Sequence, residues 1–117
     1  MIYDENNVFA KILRGEIPCK KVYEDDVALA FHDIAPNAPV HVLVIPKFPA
    51  TTLSDFTEKA GAEKVGAFFV VVQNVVAQLG IGEAYRLITN SGAGAGQSVP
   101  HFHVHLLAGK KMSALLP

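Results

Sequence analysis

Apolar residues change their period along this chain. Val65, Phe68, Phe69, Val72, Val75, Val76 and Leu79 recur three or four positions apart. That spacing predicts an amphipathic helix with one buried stripe. Gly80 follows as a C-cap, and Asp55 and Glu58, three apart, stand at the helix entrance as a capping-box variant. Val70 and Val71 lie off that stripe, so they are either buried more deeply or part of a partner surface. Elsewhere the apolar positions alternate or run together in short blocks, which predicts strands over residues 21–24, 27–32, 40–45, 85–89 and 101–107, with a short helix over 8–14. Strands outnumber helices and do not alternate regularly with them. The expected class is α+β with a largely antiparallel sheet, in one domain spanning residues 1–117.

The last of these strands carries the chemistry. Residues 99–107 read Val-Pro-His-Phe-His-Val-His-Leu-Leu. A strand sends successive side chains to opposite faces, so His101, His103 and His105 share one face while Phe102, Val104 and Leu106 share the other, a core face. Two-residue steps set the imidazoles roughly 7 Å apart. Three of the chain's five histidines stand here. Histidine is a modest strand former that titrates near neutrality, so such a cluster is a site rather than a stabilising device. Three readings compete: a half-exposed strand, a metal site, and nucleophilic catalysis by one imidazole positioned by its neighbours.

The preceding loop, Asn-Ser-Gly-Ala-Gly-Ala-Gly-Gln-Ser over residues 90–98, bears on that choice. Alternate glycines let a backbone approach a ligand and present N–H groups to an anion, with Gln97 and Ser98 as side-chain donors beside them. The loop lacks the Gly-Lys-Ser/Thr ending of a Walker loop and does not open a βαβ unit. A phosphate cradle leading into three imidazoles points to phosphoryl or nucleotidyl transfer through a histidine. A metal site built solely of His101, His103 and His105 stays open, although Cys19 is the only cysteine and no carboxylate is near in sequence.

Composition narrows the setting. Half of the 117 residues are apolar, enough for a core, and the net charge of −1 suggests neither nucleic acid nor an anionic membrane as partner. The first residues lack a basic-then-apolar leader pattern, and the run of residues 67–72 is too short to cross a bilayer. A single cysteine fits a reducing compartment, so a cytoplasmic location is expected. His32 and Cys19 read as ordinary residues, and His41, at a strand start, as support for the triad.

The stretch Gly-Gln-Ser-Val-x-His-φ-His-φ-His-φ-φ, where φ is apolar, resembles the signature of the histidine-triad (HIT) nucleotide-binding proteins. The similarity continues through Gly15-Glu16-Ile17-Pro18, Ala30-Phe31-His32-Asp33-Ile34, Ala38-Pro39-Val40-His41 and Tyr85-Arg86-Leu87, from about Val8 to Met112. The ending through Gly109 and Met112 is similar to the Hint branch. The resemblance implies a five-stranded sheet with one short and one long helix, paired as a homodimer. It implies His103 as the nucleophile that takes up a nucleoside monophosphate, with His105 and Asn90 holding the phosphate or orienting the nucleophile. His101 would fix its neighbours, Gly96, Gln97 and Ser98 would form the phosphate loop with Ser98 near the leaving group, and Asp33 would bind the ribose hydroxyls. Val8, Phe9, Ile12, Phe31, Ile34, Leu43 and Val99 would wall the base. The implied activity is a purine nucleoside phosphoramidase without a cofactor. The alternatives are a dinucleoside polyphosphate hydrolase, or a regulatory nucleotide-binding protein with little turnover. Some relatives carry a structural zinc; at the corresponding positions this chain has Asn7, Ala10 and Pro49 beside His101, so no metal is expected.

Overall fold

The computed structural model describes residues 2–113. The elements are α1 (Val8–Leu13), β1 (Lys21–Glu24), β2 (Ala28–His32), β3 (Val40–Pro46), α2 (Leu53–Leu79), β4 (Arg86–Ile88), a short 3-10 turn (Ala93–Ala95) and β5 (Val104–Ala108). The five strands form one sheet in the order β1-β2-β3-β5-β4, every neighbouring pair antiparallel. Consecutive β1, β2 and β3 make a meander, and β5, the last in sequence, lies between β3 and β4. This is the expected α+β class.

Alternation along the three central strands divides the interior in two. Ala28, Ala30, Val42, Val44, Val104 and Leu106 belong to the larger core with Phe56, Phe68, Val72, Val75 and Val76 of α2. Leu29, Phe31, Leu43 and Ile45 belong to a second cluster with Phe9 of α1. The pairing of Leu43 with His105 and of Val44 with Val104 sets β5 so that His105 joins the α1 side and Val104 the α2 side. Phe102, Val104 and Leu106 are therefore core residues, as the alternation predicts.

Several details differ from the sequence expectations. The regular part of β5 starts at Val104, so His101 and His103 precede the ladder. There Phe102 donates its N–H to the Ala50 carbonyl, and the Thr89 hydroxyl donates to the His103 carbonyl. β4 is likewise shorter, three residues rather than five. The cap of α2 is Thr52, whose hydroxyl accepts from the Asp55 N–H while the Asp55 carboxylate accepts from the Thr51 N–H; Glu58 is not part of it. Gly61 breaks α2 near its start, and Gly80 closes it in a left-handed conformation.

The buried stripe is also rotated. Val71 is buried among the core residues, whereas Phe69 and Val70 face outward. Residues 68, 71, 72, 75, 76 and 79 fall three or four apart as regularly as the stripe through Phe69, so spacing alone could not separate them. Val71 therefore leaves the candidate partner surface, and Phe69 joins it. α2 has the length and hydropathy of a membrane span, but Phe68, Val71, Val72, Val75 and Val76 are packed among core residues, as in a core helix.

Candidate active site

The three triad histidines reach their places from the strand and from the extended residues before it. His103 and His105 come closer than an ideal strand predicts, with ring centroids 5.1 Å apart. His101 and His103 are buried and His105 half-buried. Burial pushes the pKa of all three down, to about 4 for His101 and His105, so the rings are neutral near pH 7. Neighbouring imidazoles add to this at His101 and His105.

A neutral imidazole has one proton, and the partners assign it. His103 Nδ1 lies 2.6 Å from the carbonyl oxygen of His101, which can only accept, so Nδ1 carries the proton. Nε2 of His103 is left as a bare lone pair. His101 donates from Nε2 to the Pro46 carbonyl at 2.9 Å and accepts at Nδ1 from the Tyr3 hydroxyl at 2.6 Å. His41 Nδ1 accepts from the Asn37 N–H at 3.1 Å, so its Nε2 carries the proton and donates to His105 Nδ1 at 2.9 Å. His105 must then hold its own proton on Nε2, as a donor. The four rings thus have four fixed tautomers, one lone pair and one N–H being left for chemistry.

Around them stand the other candidates. Asp33 Oδ2 lies 3.5 Å from His41 Nε2, while Oδ1 accepts from the Ala35 N–H at 2.8 Å. Phe9 meets His103 edge-on at 4.9 Å and Phe31 at 5.6 Å, and Leu43, Ile12 and Val99 belong to the same apolar cluster. These residues, 9 to 105 in sequence, are brought to one face of the sheet. Ile34 and Val8 stand apart, exposed; Ile34 lines an open cleft with Pro18, Cys19, Lys20, His32, Asp33 and Pro36. Asn90 is half-buried two residues beyond β4.

The glycine loop is more closed than a bare cradle. Gly92 and Gly96 have φ of 89° and 91°, a region that disfavours any side chain, and between them runs the 3-10 turn. The N–H groups of Ala95 and Gln97 bond to the Gly92 carbonyl and that of Gly96 to the Ala93 carbonyl. Gln97, expected as a ligand donor, is a strut instead. Its Oε1 accepts from the Gly92 N–H, and its Nε2 donates to the carbonyls of Thr51 and Val99. A primary amide with two donors and an acceptor holds a loop better than a hydroxyl can. Ser98 is exposed at the end of that loop.

Sequence reasoning missed Tyr3, which lies 98 positions from His101, and Thr89, which holds the His103 carbonyl. Neither has a local signal, since each acts through a contact made only by the fold. The zinc positions do not suit a metal. Asn7 caps α1, accepting from the Ala10 N–H; Ala10 and Pro49 have no ligand atoms, and His101 Nδ1 accepts from Tyr3. Asp33, His41 and His105 place ligand atoms within 4.8 Å of one another, but the His41–His105 hydrogen bond already accounts for that proximity.

Comparison with known proteins identifies the family of the chain. The family model described as the HIT domain matches residues 14–112. A protein from Azospirillum brasilense described as an uncharacterized 13.2 kDa HIT-like protein is 49% identical over 115 residues, covering 97% of this chain and 94% of that one. The purine nucleoside phosphoramidase of Escherichia coli K12 is 41% identical over 113 residues, covering 96% and 94%. Among solved structures, a histidine triad protein from Clostridium difficile superposes with a TM-score of 0.86 at 40% identity, covering 98% of this chain and all of that one. This chain belongs to the HIT domain family.

Proposed function

We propose that this protein hydrolyses purine nucleoside 5′-phosphoramidates through a nucleotidyl-histidine. The observation that carries the reading is the His103 ring, neutral, held at Nδ1 by a carbonyl and bare at Nε2. That lone pair forms an N–P bond to the α-phosphorus, and the P–N bond to the leaving amine breaks. The amine departs with the bonding electrons and takes a proton by way of Ser98. Water then attacks the phosphorus from the side opposite His103 and returns a proton to Ser98, and the His103 N–P bond breaks to free the imidazole and give a nucleoside monophosphate. The Nε2–H of His105 donates to a phosphate oxygen as its charge grows, and the loop before Ser98 contributes its remaining donors. Asp33 accepts from the ribose hydroxyls, and Phe9, Phe31, Leu43 and Val99 form one wall of the base site. The similarity to the Escherichia coli phosphoramidase and to a structure described as a HIT family hydrolase from Clostridium thermocellum, with a TM-score of 0.86, supports this class of chemistry. The apolar surface of Phe69, Val70, Tyr85 and Leu87 supports a homodimer joined through α2 and the β4 edge.

Turnover of adenosine 5′-phosphoramidate, measured beside diadenosine polyphosphate and the His103→Ala variant, tests the reading. Faster turnover of the phosphoramidate, abolished in His103→Ala with nucleoside monophosphate binding largely retained, is the expected result. Preference for the polyphosphate would assign the other hydrolase, and binding without turnover of either would assign a regulatory role. A variant within tenfold of the parent would remove His103 as nucleophile.

A further inference from the structure

We propose that Tyr3 is a positioning residue for the reaction, holding the first triad histidine so that its backbone aligns the nucleophile. The inference rests on the reading of His103 given above.

The chain of contacts runs through His101. Its ring is fully buried, and both nitrogens have partners on opposite sides: the Pro46 carbonyl at the end of β3 and the Tyr3 hydroxyl from the N-terminal segment. The carbonyl of the same residue receives the Nδ1 proton of His103. With both ring nitrogens held, the His101 side chain restrains its own backbone, and with it the carbonyl that sets the His103 tautomer and aim. Tyr3 itself meets the His101 ring edge-on at 5.5 Å.

The segment that brings Tyr3 there is fixed along its length. The Asp4 carbonyl accepts from both the backbone N–H and the side-chain amide of Asn7, and the Glu5 carbonyl accepts from Arg14 Nη1 at 2.7 Å. Asn7 also caps α1, the helix that presents Phe9 to the His103 ring. One N-terminal hook, anchored at Asn7, thus reaches the site twice: Tyr3 onto the first triad ring and Phe9 onto the second. A hydroxyl is required at position 3 because His101 Nδ1 is an acceptor and, among the described residues, only Tyr3 donates to it. A phenylalanine keeps the ring contact and leaves a buried acceptor unpaired.

The test is Tyr3→Phe in the full chain, with His103→Ala beside it. The expected result is a fall in kcat of about tenfold, equivalent to one lost buried hydrogen bond, with KM for the phosphoramidate within about twofold. Imidazole ¹⁵N resonances supply a readout independent of turnover. Those of His101 and His103 should shift in Tyr3→Phe, while those of His41 and His105 should not. Parent-like kcat, or unshifted His103 resonances, would overturn the inference. A fall confined to KM would also overturn it, assigning Tyr3 to substrate binding. If His103→Ala instead turns over like the parent, the nucleophile reading is what fails, and the ¹⁵N shifts still report whether Tyr3 sets the ring geometry.

Discussion

Acidification should destabilise this protein through His101 before most of its carboxylates matter. An ordinary imidazole titrates near 6.5, and burial holds His101 at about 4. The unfolded chain therefore binds a proton that the folded chain refuses, so the stability His101 confers is complete above pH 6.5 and is lost as the pH falls toward 4. At about 1.4 kcal/mol per pH unit the whole gap is worth roughly 3 kcal/mol, of which about 2.5 kcal/mol is lost between pH 7.5 and pH 4.5. That is a large part of the 5–15 kcal/mol or so typical of a domain. His105, also near 4 but half-buried, adds a smaller loss in the same direction. Glu24, held down to about 2 by Lys21 and Lys47, retains its charge in the folded state across this window. Urea unfolding at pH 7.5 and 4.5, in the parent and in His101→Gln, isolates the effect. Glutamine retains an N–H for the Pro46 carbonyl but cannot titrate. The parent should lose about 2.5 kcal/mol more than the variant over this interval. Equal losses in the two proteins would refute the assignment of His101 as a buried neutral ring.

Two further outcomes test the binding face and the assembly. Asp33→Asn should weaken ribonucleotides by about tenfold or more and 2′-deoxyribonucleotides much less, because a charged acceptor bonds a hydroxyl more strongly than an amide does; equal losses in paired binding titrations would assign Asp33 to folding or to general electrostatics. Val70→Asp should leave the fold intact and shift the sedimenting mass from dimer to monomer, whereas Val71→Asp, which puts a charge into the core, should unfold the chain; a parent that sediments as a monomer at micromolar concentration would remove the dimer.

Much of this protein is determined by its sequence alone. The two-residue period from His101 to Leu107 requires imidazoles on one side and Phe102, Val104 and Leu106 on the other, because strand geometry fixes the faces before any packing occurs. The three-and-four spacing determines α2, and Gly80 determines its end. What that spacing left undecided was which of Phe69 and Val71 faces the sheet, since both lie within a turn of Phe68 and only the seating of the helix on β2 and its neighbours separates them. Gln97 is a similar case: its amide suits a phosphate or a loop strut equally, and the folded positions of Gly92, Thr51 and Val99 decide for the strut. The proton positions on His41, His101, His103 and His105 are tertiary in the same sense. Each is set by an acceptor or donor distant in sequence or by a backbone turn, so an isolated strand with the same histidines would leave every ring free to choose its tautomer. Local periodicity determines which side chains share a face. Which of them are neutral depends on burial, and where each proton sits depends on hydrogen bonds that exist only once Tyr3, Pro46 and Asn37 have been brought beside the rings.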